Sequence, residues 1–191
     1  MQKMEKKSFW SVRTMVFLAL LTAVQIVLTR VFVIELGGVY RISLGSVATI
    51  LAGLWFGPVA GGLCGFAGDL LGCFMRGYTI NPLITLAAIC WGVLPALVRP
   101  LSANKSRKVK TVYISAAIAV TAVISSLILT TAGLVLLNGA NFYAIFPGRV
   151  VQCLILTPIY CVVTCLLYFS PLTIMVSEDM VQSRVADKTA S

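Results

Sequence analysis

Four stretches without a single charged residue, 42–68, 77–98, 111–148 and 150–177, constrain this chain more than anything else in it. A hydrocarbon layer about 30 Å thick takes about 20 apolar residues of helix to cross. Backbone N–H and C=O groups find no water there, so a crossing segment must satisfy them internally. Charged residues make up 11% of the 191-residue chain, against about 25% in a soluble domain, and mean hydropathy is +0.99. The runs 42–68 and 111–148 exceed one span each, so turns must divide them, at Gly57-Pro58 and at Asn138-Gly139-Ala140-Asn141. The result is an all-α membrane protein of six transmembrane helices, at about 15–34, 42–56, 58–75, 82–98, 112–136 and 149–169. Residues 1–191 form a single integral membrane domain, with no room for a separate soluble one. The first apolar segment lacks a small-residue cleavage site after a short core, so it is read as a span, not a removable leader.

Net charge is +9, and its distribution orients the chain. Lys3, Lys6, Lys7 and Arg13 precede the first span; Arg99, Lys105, Arg107, Lys108 and Lys110 share one loop; Arg184 and Lys188 lie in the tail. These follow the positive-inside rule and put both termini in the cytoplasm, in a multi-pass protein of the plasma membrane. Membrane lipid accounts for this charge, and nucleic acid is not a partner. Four basic residues break the rule: Arg30, Arg41, Arg76 and Arg149, each near the outer end of a span. Arg41 is placed at the start of the second helix, Arg76 at the end of the third and Arg149 at the start of the sixth. All are arginine. Lysine would snorkel to headgroups equally well, whereas a guanidinium fork suits carboxylates and flat rings. The four are therefore read as an anion-accepting pocket at the outer mouth.

Inside the apolar frame, Gly57, Gly61, Gly65, Gly68 and Gly72 recur at helical spacing, placing them on one face that lets neighbouring helices approach closely. Asp69 stands beside that seam, and a carboxylate so placed is costly and commonly functional. The alternative is that it pairs with an arginine to hold the bundle. The second span, of some fifteen residues, is short for a bilayer and must tilt or be shielded by protein. Hydroxyls line the fifth span and can bond back to the backbone or across to other helices. Around the level of the arginines lie Tyr78 and the amides of Asn81 and Gln152, which can read a heterocycle edge, and Trp91 is a candidate for stacking on a flat ligand.

Catalysis finds little support. There is no histidine, no carboxylate partners Asp69, and no nucleotide motif occurs. Cys64, Cys73, Cys90, Cys153, Cys161 and Cys165 all fall in apolar segments and are read as small hydrophobes; the Cys161/Cys165 spacing has no second pair or histidine to complete a metal site. No cofactor and no metal is expected. The chain reads as a binder, not an enzyme.

The residues Arg41-Ile42-Ser43-Leu44-Gly45, then 51–62 (LAGLWFGPVAGG), then Gly68-Asp69-Leu70-Leu71-Gly72 resemble the substrate-binding S components of energy-coupling factor (ECF) vitamin transporters, the folate-specific type above all. Asn81-Pro82-Leu83-Ile84-Thr85-Leu86, Gly148-Arg149-Val150-Val151-Gln152 and Pro158 extend the resemblance, which covers about 15–170. It implies a six-helix subunit that captures a vitamin, folate, from outside. It also implies a transmembrane coupling subunit and two ATPases as partners, with Ala19 and Ala23 of the first helix touching the coupling subunit. Folate suits the residues: Arg41, Arg149 and Arg76 for the two carboxylates of its tail, and Asn81, Gln152 or Asp69 for the pterin edge. Riboflavin or pantothenate is the rival cargo. Outside this family, the chain could be a self-sufficient secondary transporter or a membrane enzyme. The secondary transporter lacks support because residues 1–95 and 96–191 show no repeat.

Overall fold

Gly57 divides the apolar run 42–68. Its φ of 100° lies where side-chain-bearing residues are strained, and Pro58 at the first position of the next helix supplies a pre-set φ. The computed structural model describes residues 12–30, 34–36, 40–77, 79–102, 105–173 and 175–176. Helix α1 (Val12–Arg30) is followed by a two-stranded antiparallel hairpin, β1 (Ile34–Leu36) and β2 (Tyr40–Ile42), with Glu35 opposite Arg41. Then come α2 (Gly45–Phe56), α3 (Pro58–Arg76) and α4 (Pro82–Ser102). Helix α5 (Arg107–Ala122) runs through a π-helical stretch, Val123–Thr130, into α6 (Thr131–Asn138), and α7 (Phe142–Tyr168) ends the bundle. Among the described residues the regular structure is helical apart from that hairpin.

Among the described residues four stretches are each long and apolar enough to cross a membrane: Pro58–Arg76, Pro82–Leu101, Arg107–Leu137 and Phe142–Tyr168. Thr14–Arg30 and Gly45–Phe56 are shorter. The shortness of α2 has a physical reason. Every residue of it except Ser46 is buried, with Ile50 and Ala52 fully so, because α1, α3, α4 and α7 enclose it. A helix sheathed in protein need not match the bilayer.

Backbone-to-backbone packing builds this half. A Cβ on Gly53 or Gly61 would strike the carbonyl of Gly92, and one on Gly65 the carbonyl of Ala88. A Cβ on Gly68 would instead strike the Gln25 side chain, and one on Gly72 the Arg30 guanidinium. The five glycines therefore do not form one seam as expected. Gly57 is a hinge outside the helix, Gly61 and Gly65 face α4, and Gly68 and Gly72 face α1. The physical reason is the 3.6-residue turn, which lets steps of three and four drift around the cylinder.

Helix ends also differ from expectation. The basic loop 99–110 is mostly helix: α4 continues through Pro100 to Ser102, and α5 starts at Arg107. Arginine and lysine are good helix formers, and charge alone does not break a helix. The helix expected from about 149 begins at Phe142 instead, because Asn141 caps it, its side chain accepting from the Tyr143 N–H at 3.1 Å. Arg149 thus lies about 10 Å along α7 from its start instead of opening it. Arg41 stands in β2 and not at the head of α2.

Hydroxyls organise the other half. Thr121 Oγ1 donates to the Ala117 carbonyl (2.7 Å), Thr130 Oγ1 to Ser125 (2.7 Å) and Thr131 Oγ1 to Ser126 (3.3 Å). The last two span five residues, the period of a π turn.

Candidate functional site

The C-terminal ends of α1 and α3 bring two of the four arginines together. Arg30, the last residue of α1, lies over Gly72, and Arg76, the last of α3, donates from Nη2 to the Arg30 carbonyl at 2.9 Å. The glycine at 72 is what allows the guanidinium to lie that close. The Nε of Arg30 is buried and has no hydrogen-bond partner among the described residues.

Arg149 and Gln152 stand three apart on α7, one helical turn, so they share a face; both are half-buried, and Arg149 Nε and Gln152 Oε1 are shielded from solvent. Strand β2, which carries Arg41, packs along α7. The segment just after it is pinned there, since Tyr160 Oη donates to the Ser43 carbonyl at 2.7 Å. The Arg41 side chain and Tyr78 lie outside the described residues.

Asp69 on α3 is half-buried, and its Oδ2 accepts from Thr85 Oγ1 on α4 at 2.7 Å. One turn earlier, Asn81 is buried with both ends of its amide engaged. Its Oδ1 accepts from the N–H groups of Leu83 (3.1 Å) and Ile84 (3.4 Å), capping α4, and its Nδ2 donates to the Gly133 carbonyl of α6 at 2.8 Å. Asp69, Thr85, Asn81 and Gly133 form a polar line joining α3, α4 and α6. Trp91 is buried mid-way along α4, edge-on to Tyr160 with ring centroids 5.3 Å apart. It belongs to the core between α4 and α7.

Some site residues carry no mark in the sequence. Gln25, buried on α1, lies against Gly68 and accepts at Oε1 from the Cys64 thiol at 3.4 Å. Ser125 in the π stretch and Thr164 on α7 are fully buried, and their hydroxyls have no hydrogen-bond partner among the described residues. Such groups cost about 1–3 kcal/mol each and mark places that another molecule or a rearrangement can satisfy. Thr85 could have been found from its spacing, four residues after Asn81. No local pattern marks Ser125 among its neighbouring hydroxyls.

Cys161 donates to the Ser115 carbonyl at 3.7 Å and Cys165 contacts its hydroxyl at 3.9 Å, so these thiols seat α7 on α5. Ala19 and Ala23 are exposed on α1, on a stripe with Val12 (76% exposed), Val16 and Leu20.

The site thus consists of buried polar lines in an apolar helical bundle, with Arg30 and Arg76 meeting where α1 and α3 end. Residues 13–168 match the family described as "ECF transporter, substrate-specific component". The chain belongs to that family. Among solved structures it is similar to FolT bound with folic acid, at 24% identity and a TM-score of 0.70 over 82% of this chain and 94% of that one. It is also similar to ThiT from Listeria monocytogenes, at 19% identity and a TM-score of 0.66 over 85% and 97%. No curated protein matches the sequence. These likenesses fix the S-component fold.

Proposed function

We propose that this chain is the folate-capturing S component of an ECF transporter, a multi-pass plasma-membrane protein with six spans and both termini in the cytoplasm. The observation that carries the cargo is the all-arginine outer rim. Arg30 and Arg76 meet where α1 and α3 end, and Arg149 with Gln152 occupies the outer part of α7 beside the strand of Arg41. Folate brings two carboxylates, which guanidinium forks hold in paired hydrogen bonds, and a flat pterin whose edge needs an amide or carboxylate. The likeness to FolT bound with folic acid supports the same cargo. Gln152, Asp69 and Asn81 are the candidate readers of the pterin edge, Trp91 a candidate for stacking, and Arg41 and Arg149 lie on the tail. The exposed Ala19 and Ala23 offer a smooth strip for a transmembrane coupling subunit, with two ATPases supplying energy.

Mass spectrometry of the small molecule that co-purifies with the chain tests class and cargo together. Folate is expected; riboflavin, pantothenate or another anionic vitamin in its place removes the folate reading and keeps the S-component one. Ion-driven uptake by the chain alone in vesicles would overturn both.

A further inference from the structure

The opposite end of the bundle carries a cleft that capture at the outer rim does not use. It lies where α5 begins and α7 ends, has a volume of about 320 Å³, and is lined by Arg107, Lys110, Tyr168, Phe169, Ser170 and Thr173. That volume is at the lower end of small-ligand sites. Arg107 and Lys110 stand three apart on α5, so two positive charges face the same space. The Arg107 guanidinium lies 4.7 Å from the Phe169 ring centroid, which fixes its position over the cleft.

Nothing among the described residues neutralises these cations. No carboxylate lines the cleft. The last carbonyls of α7 are already taken: Phe169 N–H donates to Cys165, Ser170 N–H to Leu167, and Thr173 Oγ1 to Tyr168 at 2.6 Å. Trp55 Nε1 in turn donates to Thr173 Oγ1 at 3.1 Å, so the floor is tied to the buried α2. The start of α5 adds a partial positive charge, and the Ser106 side chain does not cap it. On α5, Tyr113 (41% exposed) and Val120 (56%) follow Lys110 at helical spacing, and on α7 Val162 (59%) and Leu166 (68%) precede Phe169 on one face, so apolar surface continues from the cleft along both helices.

We infer that this cleft holds the phosphodiester headgroup of an anionic phospholipid of the inner leaflet, such as phosphatidylglycerol, its acyl chains lying along α5 and α7. Basic clefts between helix ends bind such headgroups through charge, and the adjoining apolar walls select a lipid over free phosphate. This goes beyond vitamin capture and does not depend on which vitamin is carried.

Native mass spectrometry of the purified full chain in detergent, titrated with dioleoyl phosphatidylglycerol, tests it without any vitamin present. Phosphatidylglycerol adducts are expected to persist where phosphatidylcholine adducts do not. R107Q/K110Q should lower the bound fraction about tenfold or more, and K110Q alone, which leaves the Phe169 stack intact, severalfold. K105Q/K108Q, which removes two charges from the same segment outside the cleft, should leave the bound fraction unchanged, as should R107K/K110R. Equal loss in K105Q/K108Q would overturn the site in favour of diffuse surface charge, and equal retention of phosphatidylcholine would leave only an apolar groove. Displacement of the lipid by millimolar inorganic phosphate would make the ligand a free anion. A marked rise in adducts for E178Q/D179N would mean that the chain's own tail is the occupant, and would equally overturn the proposal.

Discussion

The half of the bundle made of α2, α3 and α4 and the half made of α5, the π stretch, α6 and α7 are built on opposite principles. In the first, glycines remove side chains, backbones touch, and α2 is enclosed. In the second, hydroxyls bond back along their own helix, the thiols of α7 meet Ser115 of α5, and α7 buries only Gly148, Leu156, Tyr160 and Thr164 along its 27 residues. Backbone contacts have no rotamers to adjust, whereas hydroxyl and aromatic contacts can exchange partners. The first half is therefore a rigid frame and the second an adjustable wall, with Asn81–Gly133 as a tie between them.

Gly92→Val is the harshest test of that contrast. Its Cβ would overlap the Gly61 backbone, which cannot move aside, so destabilisation of roughly 3 kcal/mol or more is expected, seen as loss of monodisperse protein or a lowered unfolding temperature in detergent. If Val is accepted there at no cost, the frame is not rigid.

Arg149→Ala should separate binding from stability. Folate affinity is expected to fall by about 1.5–3 kcal/mol, measured by calorimetry, while the unfolding temperature of the empty protein stays near wild type. A drop in stability with unchanged affinity would make Arg149 part of the wall and not of the site.

Asn81→Ala removes the cap of α4 and the tie to Gly133, and should cost about 1–2 kcal/mol of stability. Asn81→Asp, which keeps the capping oxygen and loses the donor, should cost less. Equal costs would mean that the tie between the halves, not the cap, carries the effect.

Ser125→Ala has the smallest expected effect and the opposite sign. Removing a fully buried hydroxyl without a partner among the described residues should stabilise the empty protein by up to about 1 kcal/mol. Reduced folate affinity in the same variant would show that the π stretch reaches the ligand; unchanged affinity would confine Ser125 to packing.

How far these features are legible depends on how local they are. Gly57-Pro58 marks the α2–α3 boundary because a positive φ and a fixed φ are properties of single residues. The start of α7 is hidden because a capping residue resembles any other loop asparagine until the bond from Tyr143 to Asn141 is seen. The basic stretch 99–110 reads as loop because a run of charge interrupts the hydropathy without interrupting the helix. Asn81 and Trp91 illustrate the same limit at the site: an amide and an indole in suitable places become cap and core through Gly133 and Tyr160, residues far away in the chain.

By itself the sequence determined that this chain is built of long apolar stretches, where its basic residues cluster, and that the four basic residues outside those clusters are all arginine. Those follow from hydropathy and charge, which act residue by residue. Which helix each glycine faces, where α2 hides, and how Asp69 is held were decided only by the tertiary structure. A short helix becomes viable, and a carboxylate tolerable, only once neighbours from elsewhere in the chain close around them.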